Sequence, residues 1–401
     1  MTTSIETQNL PSNVPPERVV DFDMFAPGDI SSGLQAAWAG LRDTGHGLVW
    51  TPRNGGHWIA VRGQLLKAIF ENHETFSSKC PFLPKEAGEQ YSFIPTSLDP
   101  PEHRPYRKVL NSAVGPASIR RIEGEIEGIA ADLIDSIVAD GKCDFTKAFA
   151  EIFPVEVFLR LVDLPSSDSA RLKFIADQMT RPDGTMTMTE ATNLFFDYLG
   201  PVINERRENP GPDAISAVVK STVEGRPLTQ DECLRICGLL LLAGLDTVVN
   251  FLSFMMQHLA ENPADRQTLV DNPELIDNAA EELLRRYGLV ADARIINGDS
   301  EMDGVRLLDG DMIAVPTMLF GLDPQVTGCP MDVDLKRKDP EHFTFGHGVH
   351  HCAGSYLARK EITTTLKEWL ARIPDFEIVP GEQIEHRSGI VGAVVSLPLQ
   401  W

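Results

Sequence analysis

The chain has 401 residues, 42% of them apolar and 23% charged, which excludes a wholly disordered chain, a coiled coil and a collagen-like fibre. Acidic residues outnumber Lys and Arg by 58 to 36, a formal charge of −22, so the sequence does not read as a nucleic-acid binder, which needs clustered positive charge. The six cysteines have no disulfide or metal-knuckle spacing, the N-terminus lacks a secretory pattern, and no apolar run is longer than Ile236–Leu245; these features fit a reduced, cytoplasmic protein without a membrane span.

Residues 1–17, polar and Pro-rich, read as a flexible arm. Residues 18–401 read as one domain, because the breaks at Pro165, Pro182–Gly184 and Pro210–Pro212 are too short for linkers. Gly55–Phe70 reads as a strand turning into a helix, and Ile122–Ala139 has helical periodicity closed by Gly141. Thr229 and Glu232 form a capping-box pattern. Behind it an apolar helix is expected to run to Pro263; from Leu239 to Phe254 it is apolar on nearly every face and should cross the core. Cys233 and Cys237 on that helix read as buried thiols. Asn272-Pro273 predicts an N-cap and a first-turn proline for a helix reaching about Tyr287. Residues 288–320 alternate Val and Ile with polar residues, and Asp309-Gly310 suggests a hairpin. A last helix is expected from about Gly354 to Ile373. The sum is a mainly α fold with small β-sheets.

Three patterns carry chemistry. In Phe345–Gly354 two glycines precede Cys352 and one follows it at the head of a helix. Glycine permits positive φ and close backbone approach, and a cysteine at a helix N-terminus is biased toward thiolate. Such a residue is a metal ligand, a nucleophile or a buried thiol in a tight turn; a zinc site from His347, His350, His351 and Cys352 is chemically open but lacks a second ligand cluster. The second pattern, Ala243-Gly244-Leu245-Asp246-Thr247, breaks three local rules inside an apolar helix. Glycine weakens the helix, a buried carboxylate is costly unless paired, and a threonine can bond back and open the turn. The third, Glu282-x-x-Arg285 with Asp334-x-x-Arg337, would alone be a solvated helix face.

Together, Phe345-x-x-Gly348-x-His350-x-Cys352-x-Gly354, Ala243-Gly244-x-Asp246-Thr247, Glu-x-x-Arg and Asp-x-x-Arg stand in the order and spacing of the cytochrome P-450 family of haem-thiolate monooxygenases. The resemblance covers essentially the whole chain. The sequence also closely resembles the branch of the family that hydroxylates camphor, at Val20–Met24, Asn54–Ile59, Cys80–Pro101, Gln178–Gly184, Gly244–Phe254, Glu281–Asp292 and Ser388–Val391. The resemblance implies a triangular helical prism around haem b, with Cys352 as axial thiolate. It implies that Asp246 and Thr247 deliver protons to O2 as co-substrate, and that Ala243 and Gly244 leave room for it. By the same resemblance Arg107, Arg294 and His350 pair with the haem propionates, Phe345, Gly348 and Gly354 shape the thiolate loop, and Glu282, Arg285 and Arg337 form a supporting triad. Tyr91 would hold a substrate ketone. Phe82, Phe93, Thr96, Thr180, Leu239, Leu242, Ala243, Val290, Asp292, Ile390 and Val391 would line the rest.

The implied reaction is hydroxylation of a small terpenoid, camphor at the 5-exo position; the alternatives are another monoterpenoid, a norisoprenoid ketone such as an ionone, or a haem-thiolate sensor without catalysis. Residues 103–121 carry Arg104, Arg107, Lys108, Arg120 and Arg121 with no acid between them. This basic stretch reads as a docking patch for an acidic protein, which the resemblance identifies with a [2Fe-2S] ferredoxin served by an NADH-dependent ferredoxin reductase. No dinucleotide fingerprint is present, so no reductase is fused. Some positions depart from the camphor-hydroxylating branch. Leu242 and Ala243 replace smaller residues, His351 and Ala353 replace apolar residues near the thiolate, and Lys79 replaces a glutamate, which makes a potassium site doubtful.

Overall fold

The long apolar stretch after Thr229 organises the molecule, and its start is the expected capping box. The Thr229 hydroxyl accepts from the Glu232 N–H (3.2 Å), and the Glu232 carboxylate accepts from the Thr229 N–H (2.7 Å). In the computed structural model, which describes residues 10–28, 30 and 33–401, this stretch is two helices rather than one, Gln230–Gly244 and Thr247–Glu261. The break falls at Asp246, whose φ of −134° is not helical. Its buried carboxylate is drawn aside to Arg181, and the Thr247 hydroxyl bonds back to the Ala243 carbonyl (3.3 Å). By length and composition Gln230–Glu261 would cross a membrane, but 78% of its apolar window is buried inside the protein.

Against this pair pack Phe153–Val162, Met188–Glu208 and Ser355–Arg372, and Glu123–Ile137 and Ile276–Arg286 pack in turn on Ser355–Arg372. Cys233 and Cys237 are buried as expected. Pro273 opens a short 3-10 turn, Pro273–Leu275, ahead of Ile276–Arg286. The Asn272 side chain does not cap it; it donates back to the Thr268 carbonyl (2.8 Å).

The main sheet has five strands in the order Leu48–Thr51, His57–Ala60, Met312–Pro316, Ala291–Ile296, Phe76–Ser77. Met312–Pro316 runs parallel to His57–Ala60 and antiparallel to Ala291–Ile296. The two-residue hairpin turn lies at Asp303-Gly304, between Ser300–Met302 and Val305–Leu307, not at Asp309-Gly310. Both turn residues have positive φ, 52° and 73°, as a type I′ turn needs; Asp309-Gly310 instead leads into Met312–Pro316. Of the segment expected to be an arm, residues 10–17 lie against the body: Val14 is buried and Asn13 donates to Asp311 (3.0 Å).

Thr229→Ala removes a cap acceptor and is expected to cost about 1 kcal/mol. Thr229→Asn should keep most of that stability. Urea unfolding of the three proteins, compared at their midpoints, measures both.

Candidate active site

The cysteine loop is set by backbone rather than by side chains. Gly346 and Gly348 have φ of 69° and 70°, and a Cβ on Gly348 would stand 2.6 Å from the Phe70 carbonyl oxygen. Gly348 thus seats the loop on the helix Gly63–Glu71 and does not itself reach the cavity. The Cys352 N–H donates to the Phe345 carbonyl (2.8 Å), closing the loop, and the Arg359 guanidinium lies 4.6 Å from the centre of the Phe345 ring.

The loop's approach is anchored from below. Glu282 and Arg285 are fully buried. Arg285 donates twice to the Glu282 carboxylate (2.7 and 2.8 Å) and to the carbonyls of Gly321, Pro330 and Asp332. Arg337 and the Asp334 N–H complete the set on Glu282 (3.0 and 2.9 Å). The acid–base motif is therefore no solvated helix face: it binds residues 321–337 to the helix Ile276–Arg286.

Cys352 is open to a cavity of about 330 Å³ whose walls bring most of the expected residues together. On the wall lie Phe345, Gly354, Arg107, Arg294 and His350, with Ala243, Gly244 and Thr247 from the interrupted helix. Tyr91, Phe82, Thr96, Thr180, Leu239, Leu242, Val290, Asp292, Ile390 and Val391 line it too. Burial pushes the Cys352 thiol up; the Gly354 N–H, Arg107 and Arg359 pull it back only in part. The helix start thus favours the thiolate less than burial opposes it, short of what the sequence suggested, and a bound metal cation would supply the rest.

Besides Gly348, two of the residues expected to face the cofactor or the substrate are not on the wall. Asp246 points away from the cavity: Arg181 holds its carboxylate through two hydrogen bonds, Asn250 donates to it (2.9 Å), and Lys173 lies 3.8 Å off. Burial works to raise this carboxyl, and Arg181 more than reverses it. Phe93 stands behind Tyr91, ring centres 5.2 Å apart, and fills the space that a side chain at Gly238 would need. Gly244 lines the cavity, but its missing side chain also admits the Phe158 ring, with which a Cβ would overlap.

Near the loop, basic groups crowd one spot. The His103 and His350 rings lie 4.4 Å apart; both nitrogens of His103 and Nε2 of His350 are buried without a partner. Burial pushes His103 down to about 4, and burial with Arg294, His103 and Arg107 pushes His350 to about 2. Unsatisfied buried donors are rare in native proteins, and this set fits the two carboxylates of a haem. His103 was missed in the sequence, where it looks like one more residue of a basic helix. Among the described residues no group of three or more His, Cys, Asp or Glu is arranged to hold a metal ion, which removes the zinc reading.

A glycine-bound cysteine loop, a mainly apolar cavity above it, an opened helix facing it, and two unpartnered histidines beside two arginines at its edge define a haem-thiolate protein. The cytochrome P-450 family model matches residues 151–396. A probable cytochrome P-450 127A1 of Sinorhizobium fredii is 35% identical over 99% of this chain and 98% of its own. The crystal structure of CYP101J2 superposes with a TM-score of 0.92 at 43% identity, covering 98% of this chain and 99% of that one; CYP101C1 gives 0.90 at 38%, covering 98% and 100%. The chain belongs to the cytochrome P-450 family, and its fold is that of the CYP101 structures.

Arg285→Ala leaves Glu282 buried with only Arg337 and the Asp334 N–H as partners. It is expected to cost about 3–5 kcal/mol, seen as a lower chemical-denaturation midpoint and as weaker retention of haem.

Proposed function

We propose that this monooxygenase hydroxylates a small terpenoid ketone, camphor at the 5-exo position being the leading candidate, with electrons from a [2Fe-2S] ferredoxin and its NADH-dependent reductase. The observation that carries the substrate class is a buried phenol among the mainly apolar side chains of the wall. Tyr91 is buried between Phe82 and Phe93, edge to face with both. Burial pushes its hydroxyl well above the usual phenol range, so it stays a neutral donor. A compact ketone has one acceptor for it and apolar surface elsewhere, which suits Leu239, Leu242, Val290, Ile390 and Val391.

Cys352 would hold the iron of a haem, and Arg107, Arg294, His350 and His103 its carboxylates; when bound, that group supplies the reduction of O2. The remaining work falls to the chain. The cavity excludes bulk water from the substrate. Tyr91 fixes its rotation, and most affinity comes from apolar burial at about 25 cal/mol per Å². The Thr247 hydroxyl, at the opened turn, is the proton-bearing group of the interrupted helix that reaches the cavity.

The ferredoxin reading rests on the basic stretch. Arg104, Lys108, Arg120 and Arg121 are exposed in a chain of net charge −22, a field that would draw an acidic partner. Arg107 leaves this patch: it lines the cavity and donates to Asn111 (2.8 Å) and the His351 carbonyl.

Tyr91→Phe is expected to weaken camphor binding by up to about tenfold, the worth of one hydrogen bond of about 0.5–1.5 kcal/mol, and to broaden the product mixture. The shift of ferric haem from low to high spin, titrated with camphor, camphane and an ionone, measures it. Camphane, without a ketone, should bind both proteins alike. A full shift with the ionone and none with camphor would replace the substrate and leave the family unchanged.

A further inference from the structure

Tyr91 stands in a stretch without secondary structure. The helix Lys85–Gln90 ends just before it, and the next helix begins at His103. Its hydroxyl is therefore placed by whatever holds this loop. The ends are pinned from several sides: the Lys85 ammonium donates to the Gly310 carbonyl (3.0 Å), the Thr189 hydroxyl to the Gln90 side chain (2.9 Å), and the Asp99 carboxylate accepts from the Ser77 hydroxyl and the Ser78 N–H (2.5 and 2.8 Å). Between those points most hydrogen bonds stay inside the segment. The Tyr91 N–H donates to the Gly88 carbonyl (3.1 Å), and the Phe93 carbonyl accepts from the N–H and hydroxyl of Ser97 (3.1 and 2.8 Å). Among the described residues one hydrogen bond reaches residues 91–98 from elsewhere in the fold: Arg235 Nε donates to the Ser92 carbonyl.

Arg235 is the last charged residue of the core helix Gln230–Gly244. Arg235, Gly238, Leu239 and Leu242 follow the spacing i, i+3, i+4, i+7 and so share one face. Gly238 receives the Phe93 ring, Leu239 and Leu242 line the cavity, and Arg235 lies off its wall. One helix face thus carries part of the cavity lining and, a turn outside it, a clamp on the loop that bears Tyr91. The ion-pair partner Asp231 lies 3.7 Å from the guanidinium and is mostly exposed, a weak competitor for it, whereas a charged donor on a carbonyl makes a strong hydrogen bond. We propose that Arg235 is a positioning residue for substrate orientation. By holding the Ser92 carbonyl on the core helix it sets the Tyr91 hydroxyl in register with Leu239 and Leu242, so that a single element fixes both the shape of the cavity and the place of its hydrogen-bond donor. This rests on the reading of Tyr91 as donor to a substrate ketone. Arg235 acts through Tyr91 alone: it contributes nothing to a ligand without an acceptor, and nothing once the Tyr91 hydroxyl is gone.

The test compares Arg235→Met and Arg235→Gln in the haem-loaded protein, each with Tyr91 intact and with Tyr91→Phe. Both side chains match the arginine stem as far as the position of Nε, and only glutamine keeps an N–H there. Arg235→Met should weaken camphor binding by about two- to tenfold, no more than Tyr91→Phe does. It should raise the infrared carbonyl stretch of bound camphor toward that of a ketone without a hydrogen bond, and leave camphane binding unchanged. Arg235→Gln should restore most of the affinity and the stretch. In the Tyr91→Phe background Arg235→Met should alter neither. A merely structural arginine would weaken camphor and camphane alike and add its effect to that of Tyr91→Phe; either result overturns the proposal, as does an unmoved carbonyl stretch in Arg235→Met. If Arg235→Met does not retain haem, Arg235→Leu takes its place in the same comparison. Failure of the Tyr91 reading itself shows separately, as a Tyr91→Phe protein with wild-type camphor affinity and carbonyl stretch, and it overturns both.

Discussion

The ion pair between Asp246 and Arg181 is the interaction on which the shape of the site depends. A carboxylate in the middle of an apolar helix costs several kcal/mol if unpaired. Here Arg181, Asn250 and the nearby Lys173 meet that cost, and they do so from outside the helix axis. The carboxylate is pulled toward them, the ladder opens at Leu245–Asp246, and Thr247 begins a new helix with its side chain on the cavity. An unbroken helix would present a closed, hydrogen-bonded backbone and no free turn above Cys352.

The facing side is held as firmly by a different device. Positive-φ glycines and the close approach of the Phe70 carbonyl leave the cysteine loop little freedom. The Glu282 cluster fixes the segment that leads to it, and the Thr344 hydroxyl donates to the Leu284 carbonyl (2.6 Å) to continue the anchorage. Two rigid walls, each paid for by buried charge, leave a cavity that is apolar at its centre and unsatisfied at its basic edge.

Local features were legible in the sequence wherever one segment determines them. The capping box at Thr229, the glycines around Cys352 and the limits of the last helix follow from neighbours in the chain. The break at Asp246 was visible as a violated pattern, but the direction of its carboxylate was not, because its partner lies 65 residues away. Phe82 and Phe93 look alike in sequence; only packing puts one on the cavity and the other behind Tyr91. The hairpin was assigned to the wrong one of two Asp-Gly pairs, since both carry the same turn chemistry and only strand pairing separates them.

The central claim is that Cys352 binds haem iron as a thiolate. The most direct measurement is the carbon monoxide difference spectrum of the reduced protein, taken for wild type and for Cys352→Ser. The structure predicts the strongly red-shifted Soret band of thiolate ligation in wild type and its loss in Cys352→Ser. A red-shifted band that survives in Cys352→Ser, or that never forms in wild type carrying a full complement of haem, would contradict the assignment.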